Sequence, residues 1–228
     1  MTKVQAFIFD LDGVITDTAE QHYLAWKLLG EELGIPFDRE FNETLKGVSR
    51  MDSLERILKL GNLQDDFTLE AKEALATKKN DHYKQLITSI KPDDVLPGII
   101  DLLQAIRAEG LKIGLASASK NALTVIESLQ IREYFDYIVD AATVKNSKPH
   151  PEVFLKAAEK LGVPYSACIG VEDAEAGVDA IKSADMFAVG VGSKGAMQEA
   201  DLIVESTANL SLESILKAFG SYQLQASN

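Results

Sequence analysis

The sequence predicts an α/β fold, a parallel sheet covered by helices on both faces and interrupted by a helical insert. Three observations predict it. From about residue 97 onward, short apolar runs alternate with amphipathic helical stretches, the pattern of a parallel sheet with both faces buried. One further apolar run, Phe7-Ile8-Phe9, stands apart near the N-terminus. Between about Ile15 and Ile90 there is helical periodicity and no strand signal. A core of residues 1–15 and 91–228 carrying an insert of residues 16–90 is therefore expected.

Taken in order, the first strand ends in Asp10-Leu11-Asp12-Gly13, two acids and a glycine that permits a tight exit. Tyr23, Trp26, Leu29 and Leu33 recur at three- and four-residue steps, and Gly34 with Pro36 stops that helix. Ser49 is placed to cap a helix carrying Leu54, Ile57 and Leu58, which Gly61 ends. Thr68 opens a longer helix through about Leu86. A helix from Gly98 to about Glu109 precedes a strand at residues 111–116. Ser119 is expected to cap the next helix, with Leu123, Ile126 and Leu129 on its apolar face. A short strand at residues 137–139 leads to the loop Asn146-Ser147-Lys148-Pro149. Pro151 suits a first helical position, and Phe154, Ala157, Ala158 and Leu161 then line one face. A strand at residues 167–171 runs into Glu172-Asp173, and a helix follows to about Ser183. Strands at residues 187–191 and 202–204 and a terminal helix near residues 212–219 complete the pattern.

The chain has 228 residues, of which 46% are apolar, enough for a substantial core. Its net charge of −12 argues against nonspecific nucleic-acid or anionic-membrane binding, because phosphates are repelled at long range. A small anion held by local donors remains compatible with that charge. Cys168 is the only cysteine, so no intramolecular disulfide can form, and its apolar surroundings mark a buried, inert thiol. The N-terminus lacks the basic and apolar regions of a signal peptide, and no stretch is long and apolar enough to span a bilayer. A soluble, cytoplasmic monomer is expected.

Ligands of parallel sheets bind at the carboxyl ends of the strands. Those ends collect Asp10, Asp12, Ser117, Lys148, Glu172 and Asp173. Residues i and i+2 of an extended segment face the same side, so Asp10 and Asp12 can address one ligand. Four carboxylates in one cleft repel unless a divalent cation sits among them, and hard oxygen donors without His or Cys point to Mg²⁺. Ser117 with the N–H groups of the following helix N-terminus is read as an anion cradle, to which Lys148 adds a point charge. Metal, cradle and lysine together suit phosphoryl transfer, with Asp10 as nucleophile and Asp12 as general acid/base. Each member also has a purely structural explanation: serines as helix caps, a solvated loop lysine, acids favoured at a helix N-terminus. Their concentration at one sheet edge favours the site. In the insert, Arg50 opens a helix against the dipole, so a ligand or a distant acid would account for it. Lys79 lies four residues from both Leu75 and Tyr83, and both snorkelling and ligand contact stay open. His22, beside the apolar stripe of the first insert helix, reads as a hydrogen-bonded structural histidine.

The segment from Asp10 to Thr18 (Asp-Leu-Asp-Gly-Val-Ile-Thr-Asp-Thr) resembles the haloacid dehalogenase superfamily, and within it the bacterial β-phosphoglucomutase family. The match continues through Leu45-Lys46-Gly47-Val48-Ser49-Arg50, Lys78-Lys79-Asn80, Ala116-Ser117-Ala118-Ser119-Lys120-Asn121, Ser147-Lys148-Pro149 and Glu172-Asp173. The resemblance implies a Rossmann-like core with an inserted helical cap. It implies interconversion of β-D-glucose 1-phosphate and D-glucose 6-phosphate, through an aspartyl phosphate at Asp10 and bound β-D-glucose 1,6-bisphosphate. By the same resemblance, Asp10, the Asp12 carbonyl and Asp173 hold Mg²⁺, with Glu172 in or beside the shell. Ser117 and Lys148 hold the transferring phosphate, and Arg50, Ser119 and Asn121 hold the distal one. Gly47, Val48, Ser49, Ala118 and Lys120 belong to the same substrate-binding stretches, while Thr18, His22 and Lys79 link hinge and cap to the site. The nearest alternative is a sugar-phosphate phosphatase of the same superfamily, which shares Asp10, Asp12, Ser117, Lys148 and Asp173. A phosphoacceptor signalling module needs no long helical insert and fits less well.

Overall fold

The structure is a computed structural model that describes residues 2–226. Strands β1 (Ala6–Phe9), β2 (Lys112–Leu115), β3 (Tyr137–Ile138), β4 (Cys168–Glu172), β5 (Phe187–Val191) and β6 (Leu202–Val204) form one parallel sheet in the order β3-β2-β1-β4-β5-β6. β1 sits in the interior between β2 and β4, with Phe9 level with Leu115 on one side and Val171 on the other. Beyond the strand, the Asp10 N–H donates to the Val171 carbonyl at 3.0 Å and the Ala116 N–H to the Phe9 carbonyl at 2.8 Å. That register sets Asp10 level with Glu172 and Ala116, with Ser117 one residue beyond, at one edge of the sheet.

Helices α1 (Ala19–Leu33), α2 (Arg39–Glu43), α3 (Arg50–Leu60) and α4 (Leu69–Leu86) lie between β1 and β2 in the chain. Helix α5 (Ile99–Ala108) follows them and leads into β2, and α6 (Ala122–Ser128), α7 (Glu152–Leu161), α8 (Glu175–Ser183) and α9 (Leu212–Ala226) connect or follow the remaining strands. Alternation along the strands decides the layers. Phe7, Phe9, Ile113, Leu115, Ile169 and Val171 face a core completed by α5, α6 and α9. Ala6, Ile8, Cys168 and Ala188 face the opposite layer, with Phe154 and Ala157 of α7 and Val178 and Ile181 of α8. Cys168 is wholly buried there, and burial pushes its thiol up to about 12, as expected of an inert group. The insert has a core of its own, Trp26, Leu29, Leu54, Ile57, Leu58 and Ala76. The chain enters and leaves it side by side: Leu96 N–H donates to the Ile15 carbonyl at 2.9 Å, and Thr16 Oγ1 to the Asp94 carbonyl at 2.7 Å. No helix among the described residues is long and apolar enough to cross a membrane.

Ser49 and Thr68 cap α3 and α4 as expected, each accepting an N–H from three residues ahead. Several local readings need correction. Ser119 does not cap α6, which begins at Ala122 with Asn121 as its N-cap and no side-chain cap bond. The residues from 117 to 121 stay in a loop instead, because Ser117 Oγ accepts the Ser119 N–H and Ser119 Oγ accepts the Asn121 N–H. Such short hydroxyl turns compete with helix. The expected helix N-terminus after Ser117 is therefore a loop at this point. Leu123 is 47% exposed, so the apolar face of α6 is Ala122, Val125 and Ile126. Pro151 is the N-cap of α7 and not its first residue. The short helix α2 was not legible, since five residues carry little periodicity. The terminal helix runs seven residues past Phe219 to Ala226.

Candidate active site

A cavity of about 260 Å³ lies between the C-terminal edge of the sheet and the insert. Asp10, Asp12 and Asp173 face it from the sheet edge, with Ser117, Ala118, Ser119, Lys120 and Asn121 from the loop after β2. His22, Gly47, Val48, Arg50 and Lys79 face it from the insert. Lys148 and Glu172 lie just beneath the floor, 3% and 0% exposed. Thr18 is fully buried behind Asp12, and Ser49 turns away to cap α3. Residues the sequence reading passed over also line the cavity, notably Lys46, Asn80 and Tyr83. Lys46 precedes Gly47 directly, and its place beside a glycine-containing stretch of the insert is the one sequence signal for it.

The floor is an ion-paired group. Lys148 Nζ bonds Asp10 Oδ1 at 2.6 Å and also Glu172 Oε1. Glu172 Oε2 accepts the N–H groups of Asp173 at 3.0 Å and Ala174 at 3.1 Å, so both of its oxygens are engaged by the protein. Burial works against the Lys148 charge, but Asp10 and Glu172 outweigh it and hold the ammonium above its ordinary value. Asp12 donates its N–H to Asp10 Oδ2 at 3.1 Å, and its own carboxylate accepts the Thr18 hydroxyl. Thr18 in turn accepts from the Tyr83 hydroxyl at 3.2 Å. Burial, reinforced by Asp10, raises Asp12 to about 7, within the range useful for moving a proton near neutrality. Gly13, at φ +76°, follows at once, and a Cβ there would lie 2.1 Å from Asp173 Oδ2. Only glycine allows that approach.

Carboxylate oxygens of Asp10, Glu172 and Asp173 lie within 4.8 Å of one another, a grouping that can hold a metal ion. Burial, then Glu172 and Asp10, push the Asp173 carboxyl upward, and burial does the same for Glu172. A cation would relieve both, and three hard oxygen donors fit Mg²⁺. The donor set fits the metal.

The insert side differs. Lys79 is only 3% exposed, so it does not snorkel. Its Nζ lies 2.9 Å from His22 Nδ1, 4.6 Å from the Trp26 ring centre and 4.8 Å from that of Tyr83. Burial and then Arg50 lower Lys79 to about 7. Burial, Lys79 and Arg50 hold His22 well below its ordinary value, which favours the neutral ring. Arg50 is half-buried at the start of α3, and Asp81 is the distant acid that partly offsets its burial. Asn121 Nδ2 donates to Asn80 Oδ1 at 2.8 Å, joining the loop after β2 to α4.

The haloacid dehalogenase-like hydrolase family matches residues 4–185 of the chain. A curated relative from Bacillus subtilis, named β-phosphoglucomutase, is 49% identical over 98% of this chain and 99% of its own length. A phosphorylated carbohydrates phosphatase from Thermotoga maritima is 28% identical over 79% of this chain and 82% of its own. Among solved structures, β-phosphoglucomutase from Clostridium difficile matches with a TM-score of 0.96 at 51% identity, covering 97% of this chain and 99% of that one.

Proposed function

The chain belongs to the haloacid dehalogenase-like hydrolase family, and from that premise we infer that it interconverts β-D-glucose 1-phosphate and D-glucose 6-phosphate, the β-phosphoglucomutase reaction. The observation that carries this reading is a cavity lined from two sides. Asp10, with Lys148 beneath it, faces it from the sheet edge, and Arg50 and Lys79 face it from the insert. A bisphosphate has two anionic ends, and the likeness to mutases over the whole chain supports that match.

A hydroxyl of the sugar monophosphate attacks the phosphorus of phosphorylated Asp10; the new oxygen–phosphorus bond forms as the Asp10–phosphorus bond breaks, and Asp12 takes the hydroxyl proton. The β-D-glucose 1,6-bisphosphate so formed turns over in the cavity. Asp10 then attacks its other phosphorus, the sugar oxygen leaves with the proton from Asp12, and the isomeric monophosphate departs from a phosphorylated Asp10. Lys148 and Ser117 balance charge on the transferring oxygens, while Arg50, Ser119 and Asn121 hold the distal phosphate. Asp10, Asp173 and the Asp12 carbonyl would hold Mg²⁺, with Glu172 beside them. When bound, the ion supplies positive charge to the transferring phosphoryl oxygens. Residues 16–90 act as a cap that excludes water from the aspartyl phosphate.

The test supplies β-D-glucose 1-phosphate, Mg²⁺ and the bisphosphate as primer, and measures glucose 6-phosphate and free phosphate separately. Glucose 6-phosphate in large excess is expected. Free phosphate as the main product would make the chain a phosphatase of the same family.

A further inference from the structure

Asp52, in the first turn of α3, uses one oxygen to join the insert to the sheet layer. Its Oδ2 accepts the Ser49 hydroxyl at 2.7 Å and the Ser147 hydroxyl at 2.5 Å. The Ser49 bond belongs to the helix cap and needs no further reason. Ser147 lies 95 residues away, beside Lys148, and its hydroxyl has no other hydrogen bond among the described residues. An acid in a first turn is already favoured by the helix end, so the reach to Ser147 adds nothing to α3 itself.

Other contacts give that reach a context. Gly47 has φ +70°, and a Cβ there would lie 3.6 Å from Lys148 Cδ and 3.8 Å from Ala174 Cβ. The backbone of the insert thus rests on the stem of the buried lysine. On the far side of Gly47, Lys46 Nζ lies 3.7 Å from Asp173 Oδ2. The stretch from Lys46 to Asp52 is tied to the sheet edge at both ends, with Lys148 beneath its middle. Opening the insert away from the sheet edge would have to part these ties.

We propose that Asp52 is a positioning residue: through Ser147 it couples closure of the insert to placement of the loop that carries Lys148. The proposal rests on phosphoryl transfer at Asp10. With the bond made, the insert is closed when the Lys148 loop is in register. Without it, the chemistry survives, but the closed state is less populated and water reaches the aspartyl phosphate more often.

The experiment compares Ser147→Ala, Ser147→Thr, Asp52→Ala and the double variant Asp52→Ala/Ser147→Ala with the wild type, in the two-product assay with thermal unfolding alongside. A wild type without isomerase activity would overturn the functional reading and not the coupling. Given an active wild type, Ser147→Ala is expected to lower kcat by about five- to tenfold, the range of one lost hydrogen bond to a charged group with some exposure. The ratio of free phosphate to isomer should rise by a similar factor, and Ser147→Thr, which keeps the hydroxyl, should restore both. The double variant should be no slower than Asp52→Ala. A wild-type rate and product ratio for Ser147→Ala, a Ser147→Thr variant as slow as Ser147→Ala, or losses that multiply in the double variant would each overturn the proposal. Should Asp52→Ala fail to fold for want of its cap contact, the two Ser147 variants decide alone.

Discussion

Lys148 and Lys79 are each 3% exposed, yet their ammonium groups are held on opposite sides of the ordinary lysine value. Lys148 is gripped by Asp10 and Glu172. Lys79 has a neutral imidazole nitrogen and two aromatic faces, with Arg50 repelling it. Counter-charge, more than burial, separates them. At the sheet edge Lys148 is already paired by Asp10 and Glu172, while burial and the neighbouring carboxylates still push Asp173 upward, so a cation would complete that end. On the insert side Arg50 and Lys79 make no ion pair among the described residues, the distant Asp81 only partly offsetting the burial of Arg50, and an anion at that end would pair with them.

The largest effect expected at the sheet edge is that of Asp10→Asn, which keeps shape and loses the nucleophile. Turnover should vanish while the melting temperature stays close to wild type. Normal turnover, with deamidation excluded by mass, would end the covalent reading and with it the division of labour between the two ends. Asp12→Asn should be next, lowering kcat by about 10²–10⁴-fold, the usual span for one acid/base group. Rate restored at saturating Mg²⁺ would make Asp12 merely a ligand.

Stability can set the two lysines directly against each other. Lys148→Met strands two buried carboxylates and should destabilise the metal-free chain by about 3–5 kcal/mol in urea unfolding. Lys79→Met removes a buried charge without a carboxylate partner, and should leave stability unchanged or improved while turnover falls. Equal losses in both variants would erase the contrast. Arg50→Ala should weaken isomerisation strongly while attack by water on phosphorylated Asp10 is spared, shifting the product ratio toward free phosphate. Mg²⁺ affinity should hardly move, and an unchanged product ratio would remove the insert from recognition of the distal phosphate.

The smallest effect is a proton count. Lys79 stands at about 7 in the free chain, and an anion beside it favours the charged form. Above pH 7 the free lysine is mostly neutral, so binding a sugar phosphate at pH 8 should draw a fraction of a proton from the medium. Below pH 6 the lysine is already charged and the uptake should disappear. Calorimetry in two buffers of different ionisation enthalpy reads this, and Lys79→Met should abolish it.

Much of this was legible in residue order. The strand-end acids, the capped helices opened by Ser49 and Thr68 and the alternation after residue 97 are local patterns, read from spacing and residue type, and the structure bears them out. The family followed from motifs spread along the whole chain. What stayed hidden depended on partners far away in sequence. Ser119 reads as a cap because serine before an apolar stretch usually is one, but hydroxyl turns at the sheet edge delay α6 by two residues. Lys79 could have snorkelled, and only the packing of α1 against α4 placed it beneath Trp26 and Tyr83 with His22 as partner. Lys148 read alone was a loop lysine. Its role appears once the order of the strands sets it between Asp10 and Glu172, 138 and 24 residues away. By itself, the sequence determined which groups the chain has and which helices and strands present them. Only the tertiary structure decided which charges meet, because a charge is set by the partners within a few ångströms, and those come from distant parts of the chain.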